Sequence, residues 1–241
     1  MKTACDGLLL VDKPKEWTSH DVCAFMRKRF HLSKVGHAGT LDPMATGLLV
    51  IMIGSATKQS AVFSADDKEY DGEMQLGVKT DSHDMAGNIL EKAPWEHITL
   101  EEIREKAKAF TGEIVQVPPM VSALKHHGVP LYRLARKGIE IPREGRNVNV
   151  YKFEIENLNS GRVQFKSRVS KGTYVRTLVN DLGEALGCHA ALADLRRMRS
   201  GVFKVENSLT IDALKALPVE ELRDRIFTLK PQYPYAGLHQ S

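Results

Sequence analysis

Apolar positions along the chain fall into short runs and stripes that switch between strand and helix periods. Gly7 to Val11 is an apolar run ended by Asp12 and Lys13, and reads as a short buried strand. Val22, Phe25, Met26 and Phe30 then recur at helical spacing, which predicts a helix capped by Ser19 and reaching about Phe30. Residues 33–47 (S-K-V-G-H-A-G-T-L-D-P-M-A-T-G) hold three glycines and a proline and read as a loop. Leu48 to Ile53 is continuously apolar and rich in β-formers, the mark of a central strand covered on both faces. From Glu69 to Leu76 the pattern alternates, so Tyr70, Gly72, Met74 and Leu76 share one face.

Further on, Thr99 and Glu102 have capping-box spacing ahead of a stripe made by Ile103, Ala107 and Phe110. Pro118 and Pro119 open an irregular section up to Gly145, with one short helical stretch near Leu131 to Lys137. Val148 to Ile155 and Val163 to Val169 read as strands. In the second, Arg162, Gln164, Lys166 and Arg168 alternate with apolar residues and make one face basic. Thr173 is placed to cap a helix with Val175, Leu178, Val179, Leu182 and Leu186 on its apolar face, closed by Gly187. Strands and helices intermix without strict βαβ alternation. The expected fold class is therefore α+β, a mixed, largely antiparallel sheet with flanking helices.

Composition narrows the function classes. At 241 residues, one large or two unequal domains are expected, and 42% hydrophobic residues suit a soluble enzyme. Cys5, Cys23 and Cys188 are odd in number and widely spaced, which argues against a disulfide framework or zinc site. No run resembles a secretory signal or membrane span, so a cytoplasmic location is expected. The net charge is only +4, yet residues 162–204 hold nine Lys/Arg against three acids. That concentration fits a polyanionic partner as well as it fits a solvated strand face.

Nucleotide-loop, zinc-hydrolase and serine-hydrolase motifs are missing, so no cofactor and no metal are expected. What remains is G36-H-A-G-T-L-D-P43, a glycine-rich loop with one histidine and one carboxylate directly before a buried strand. Pro43 biases Asp42 away from helical geometry. Physically, the pair reads first as an Asp-Pro turn starter and second as a positioned carboxylate.

The longer stretch K34-V-G-H-A-G-T-L-D-P-M-A-T-G47 resembles the active-site motif of TruB-type pseudouridine synthases. Four further stretches agree in order and spacing. They are D12-K-P14; K68-E-Y-D-G-E-M-Q-L-G77 with T80-D-S82 and Asp84; V117-P-P-M-V-S-A-L-K125 through G138; and S170-K-G-T-Y-V-R176 with D181-L-G183, L195-R-R197 and S200-G201. The resemblance covers about Gly7 to Phe203. It implies the pseudouridine-synthase fold, with a synthase domain over residues 1–206, an RNA-gripping insertion at about 118–145 and a short segment at 207–241. Many bacterial relatives continue into a PUA-like RNA-binding domain, for which 207–241 is too short. Two short helices, at 210–217 and 220–227, are expected there instead.

By the same resemblance Asp42 is the catalytic carboxylate, Arg176 its guanidinium partner, and Tyr70 the aromatic that stacks on the target base. Tyr174 and Leu195 match pocket walls, and His37 matches a histidine that enters the RNA loop. Lys13, Lys58 and Lys125 are weaker candidates for RNA contact. Ala38 and Val121 depart from the family's commoner threonine and aromatic. The implied reaction flips out a uridine of the tRNA T-loop, at tRNA position 55, and isomerises it to pseudouridine. The implied partner is the tRNA T-arm, with no membrane and a monomeric chain. A non-catalytic tRNA-binding protein, a synthase for another uridine and a carboxylate-dependent nucleosidase are the competing readings.

Overall fold

The computed structural model describes residues 5–228 except Ala123, His127 and Arg136, with the side chains of Lys125, His126 and Tyr132 also outside the description. Two compact units divide it, Met1–Glu69 with Arg196–Ser241, and Tyr70–Leu195. The chain begins with β1 (Gly7–Lys13), α1 (Ser19–Arg29), β2 (Val35–Ala38), β3 (Thr46–Ile53), α2 (Ser60–Ser64) and β4 (Lys68–Leu76). Next come β5 (Val78–Thr80), β6 (Ile89–Lys92), α3 (Leu100–Lys108), β7 (Gly112–Gln116), β8 (Lys125–His126), β9 (Val129–Pro130) and α4 (Leu131–Ala135). The remainder is β10 (Arg146–Asn159), β11 (Arg162–Val169), α5 (Val175–Leu186), β12 (Ala190–Ser200), β13 (Phe203–Lys204), β14 (Leu209–Thr210) and α6 (Ile211–Ala216).

In the first unit β3 is the central strand, as its unbroken apolar run requires. β1 lies antiparallel along one edge, from Gly7 opposite Ile53 to Lys13 opposite Gly47. The other edge is shared. β2 pairs antiparallel with its second half, Val35 opposite Ile53 to Ala38 opposite Val50. β12 runs parallel to its start, with Arg196 opposite Thr46 and Arg197 opposite Gly47. Residues expected as one loop therefore include a strand: Val35–Ala38 is drawn into the sheet by backbone bonds that hydropathy does not report. Residues after 206 also join the sheet, because β14 pairs parallel with β1 and Phe227 exchanges backbone bonds with Leu8. Thr210 caps α6, whereas Val219–Arg225 forms a 3-10 turn and not an α-helix.

The second unit is built on neighbouring strands β4, β11, β10 and β7. β11 pairs antiparallel with β10, and β10 antiparallel with β7. β11 alternates exposed and buried residues along its whole length, as read from the sequence. α3 begins with the expected box: Thr99 Oγ1 accepts the Glu102 N–H, and the Glu102 carboxylate accepts the Thr99 N–H at 2.7 Å. Among the described residues no helix is long and apolar enough to cross a membrane.

Two caps differ from expectation. Thr18, not Ser19, caps α1 through a box with Asp21, which leaves Ser19 buried and available for a longer-range bond. Tyr174 precedes α5 without a side-chain cap, while Thr173 Oγ1 donates to the Ser170 carbonyl. Gly187 closes α5 in the left-handed region, as its position predicts.

Candidate functional site

Asp42 is half-buried on a loop between β2 and β3, and that loop is fixed through its backbone on both sides of the carboxylate. Ser19 Oγ accepts the Leu41 N–H at 2.9 Å and donates to the Leu41 carbonyl at 3.2 Å. The Pro43 carbonyl accepts from the Glu16 N–H at 2.8 Å and from Lys13 Nζ at 3.3 Å. The Ala45 N–H closes a turn onto the Asp42 carbonyl at 3.1 Å. This is the Asp-Pro turn of the plain physical reading, and it doubles as a rigid mount.

Lys13 corrects an expectation. It is 0% exposed, so it is no surface lysine for RNA. Its ammonium is consumed by the carbonyls of Pro14, Trp17 and Pro43. Burial lowers its pKa to about 8; the nearby charge of Asp42 opposes that shift and Arg197 adds to it. Lys58 is exposed on the 3-10 turn Gly54–Gln59. The Lys125 side chain lies outside the described residues.

His37 sits on β2, its ring meeting that of His20 edge-on at 5.6 Å. Burial, then the charges of His20 and Arg197, push its pKa down to about 4. The imidazole is therefore neutral near pH 7. Its Nδ1 is buried with no hydrogen-bond partner among the described residues.

Gly47, at the end of the motif, has φ +94°, and a Cβ there would lie 2.4 Å from the Arg197 carbonyl oxygen. Gly47→Ala is expected to destabilise the chain by more than about 1 kcal/mol, because both the backbone region and the space exclude a side chain. Thermal unfolding checks this: an unchanged Tm would show that β12 does not need so close an approach.

The other candidates belong to the second unit. Arg176 lies in the first turn of α5 and is 4% exposed. Its Nη1 faces Asp84 Oδ2 at 3.5 Å, and its Nη2 donates to the Val121 carbonyl at 2.5 Å. The Val121 departure from the family pattern is thus bypassed at this contact, since the backbone makes it. Asp84, also 4% exposed, is fixed in turn by the Ser82 hydroxyl at 2.7 Å and the Ala86 N–H at 3.1 Å. The Tyr174 ring has the guanidinium of Arg146 at 5.5 Å and that of Arg176 at 5.7 Å, both within cation–π range. Its main chain is held by Gln116, which accepts its N–H at 2.8 Å and donates to its carbonyl at 3.1 Å. Tyr70 on β4 and Leu195 on β12 are both buried.

Sequence reasoning passed over four of these groups: Ser19, Arg197, His83 and the anchoring role of Asp84. The run T80-D-S-H-D84 carried a signal, because closely spaced hydroxyls and carboxylates favour self-bonded turns. Thr80 Oγ1 does donate to the Asp84 carbonyl at 2.8 Å. His83 Nδ1 lies 3.3 Å from Thr177 Oγ1, and burial with the charges of Arg176 and Arg143 lowers its pKa to about 4.

The basic segment is also less basic than its composition. Arg162 pairs with Glu73 and Lys166 with Glu156, each at 2.6 Å. Arg196 binds Asp12 through two bonds of 3.0 and 2.6 Å, and Arg199 faces Glu69 at 3.5 Å. With Arg176 on Asp84, at least five of the nine cations have carboxylate neighbours from elsewhere in the chain.

Comparison with known proteins agrees with the motif resemblance. The family described as TruB family pseudouridylate synthase (N terminal domain) matches residues 27–175, and the tRNA pseudouridylate synthase B C-terminal domain matches 176–229. A tRNA pseudouridine synthase B of Opitutus terrae is 48% identical over 229 residues, covering 95% of each chain. Another, of Geotalea uraniireducens, is 48% identical over 86% of this chain and 67% of its own. A crystal structure of a Cbf5-Nop10-Gar1 complex superposes with TM-score 0.69 at 33% identity, over 92% of this chain and 57% of that one. An H/ACA RNP bound to a substrate RNA containing 2'-deoxyuridine gives TM-score 0.67 at 29% identity, over 92% of this chain and 56% of its own. The chain spans a little over half the length of these structural neighbours, and the likeness bears out the expected fold.

Proposed function

Because this chain belongs to the TruB family of pseudouridylate synthases, we propose that it converts a uridine of tRNA to pseudouridine, with Asp42 as the catalytic carboxylate. The target is the T-loop uridine at tRNA position 55, the partner is the T-arm, and the chain works as a cytoplasmic monomer. The reaction breaks the C1′–N1 bond, turns the uracil and forms a C1′–C5 bond. N1 gains a proton as C5 loses one, so substrate and product are isomers.

The observation that carries this reading is the mounting of Asp42. A carboxylate that is to meet a flipped nucleotide must be held while the RNA supplies the motion. Here the holding bonds fall on the carbonyls of Leu41 and Pro43 and on the Leu41 N–H, so the main chain is fixed on both sides of Asp42. The remaining roles follow the motif assignments: Arg176 is the guanidinium assigned to Asp42, Tyr70 stacks on the base, Tyr174 and Leu195 wall the pocket, and His37 enters the RNA loop. Lys58 and Lys125 contribute RNA contacts.

The test is modification of one unmodified tRNA transcript labelled with tritium at uracil C5, followed by mapping of the product. Tritium release with pseudouridine at position 55 alone is expected. Binding without release would leave a tRNA-binding protein; pseudouridine elsewhere would change the substrate; and free uracil would mark a nucleosidase.

A further inference from the structure

L195-R-R197 belongs to the sequence motif, yet the two arginines have opposite fates. Arg196 reaches outward to Asp12, while Arg197 is 1% exposed. Among the described residues the Arg197 hydrogen-bond acceptors are two main-chain carbonyls: Leu48 receives Nε at 2.6 Å and Gly39 receives Nη2 at 3.1 Å. Those carbonyls lie on either side of Asp42 in sequence, three residues before it and six after. One planar guanidinium thus ties the start of the loop that carries the carboxylate, at Gly39, to the strand that follows it, at Leu48 of β3. A guanidinium suits this task because its donors are fixed in direction and it stays charged when buried.

The surroundings are shaped for it. Gly39 has φ +77°, and a Cβ there would stand 3.5 Å from Arg197 Nη1. Gly47, opposite Arg197 in the β3–β12 register, lets the Arg197 backbone approach closely, since a Cβ there would lie 2.4 Å from the Arg197 carbonyl oxygen and 2.8 Å from its nitrogen. The Arg197 charge also contributes to the lowered pKa values of Lys13 and His37, which flank the same loop.

We propose that Arg197 is a positioning residue for the reaction, holding the loop of residues 39–45 against β3 so that Asp42 is presented in one geometry. It acts through the backbone and does not touch the uridine. The inference rests on the proposed isomerase activity for its kinetic consequence, but the brace itself is measurable without activity.

The experiment compares the full chain with Arg197→Lys and Arg197→Met. Hydrogen exchange of amides 37–47 is expected to accelerate in both variants, while peptides from α3 and β10 keep the wild-type rate. The single-turnover rate at saturating tRNA is expected to fall at least about tenfold in Arg197→Met, with tRNA Kd within about twofold of wild type. Arg197→Lys, which keeps the charge and can hold one carbonyl, is expected to recover part of the rate. If Arg197→Met does not fold, Arg197→Lys alone carries the comparison. Unchanged exchange over 37–47 overturns the proposal, as does exchange raised equally everywhere or a rate loss matched by an equal loss of tRNA affinity. A wild-type chain that makes no pseudouridine would remove the functional reading, while the exchange result would still decide the brace.

Discussion

Asp42→Asn is expected to reduce pseudouridine formation by at least about 10³-fold in single-turnover tritium release, while tRNA Kd stays within about threefold. The split follows from how the loop is held. Main-chain atoms of Gly39, Leu41, Asp42, Pro43 and Ala45 carry hydrogen bonds that hold the loop. Asparagine keeps the size of the side chain and leaves those bonds in place. What disappears is a negative oxygen able to attack carbon or accept a proton. A substitution that removes chemistry alone lowers the rate without lowering affinity. Substantial residual turnover would remove Asp42 from its assigned role. A loss of rate matched by a loss of affinity would instead make it a binding residue.

The parts of this architecture that were legible in the sequence are those fixed by local periodicity. β3 announces itself as six apolar residues in a row, and β11 by strict alternation. The α3 box is readable because both partners lie within one turn. What stayed hidden was determined at long range. β12 carries Arg196, Arg197 and Arg199 within four residues and reads as a solvated segment until its partners are known. Asp12 comes from 184 positions away, the Leu48 carbonyl from 149 and Glu69 from 130. Lys13 failed in the same manner. A lysine after a short strand looks like a surface cation, and only the fold reveals the three carbonyls that surround it. Charge counted along a sequence therefore overstates the field a partner meets, because the neutralising groups are remote in number and adjacent in space.

Arg176 and Asp84 should show strong coupling, and here stability and activity can be separated. Both side chains are almost fully buried, so Arg176→Ala leaves Asp84 without its cation in a poorly solvated site. The expected cost is about 3–5 kcal/mol, visible as a large drop in Tm. Asp84→Asn is milder: the amide keeps the shape, and the Val121 carbonyl still holds Arg176 Nη2. The double variant Arg176→Ala with Asp84→Ala should be more stable than the summed single effects predict, since it removes the stranded charge as well as the pair. Turnover should follow a different order. Loss of Arg176 is expected to lower the single-turnover rate about 10²-fold or more in either background, because the guanidinium assigned to Asp42 is then missing. Asp84→Asn should lower it less, by loosening the direction in which Arg176 points. If the double variant regains both Tm and rate, Arg176 is structural only. If it regains Tm while the rate stays low, the buried acid is the anchor and the arginine belongs to the chemistry.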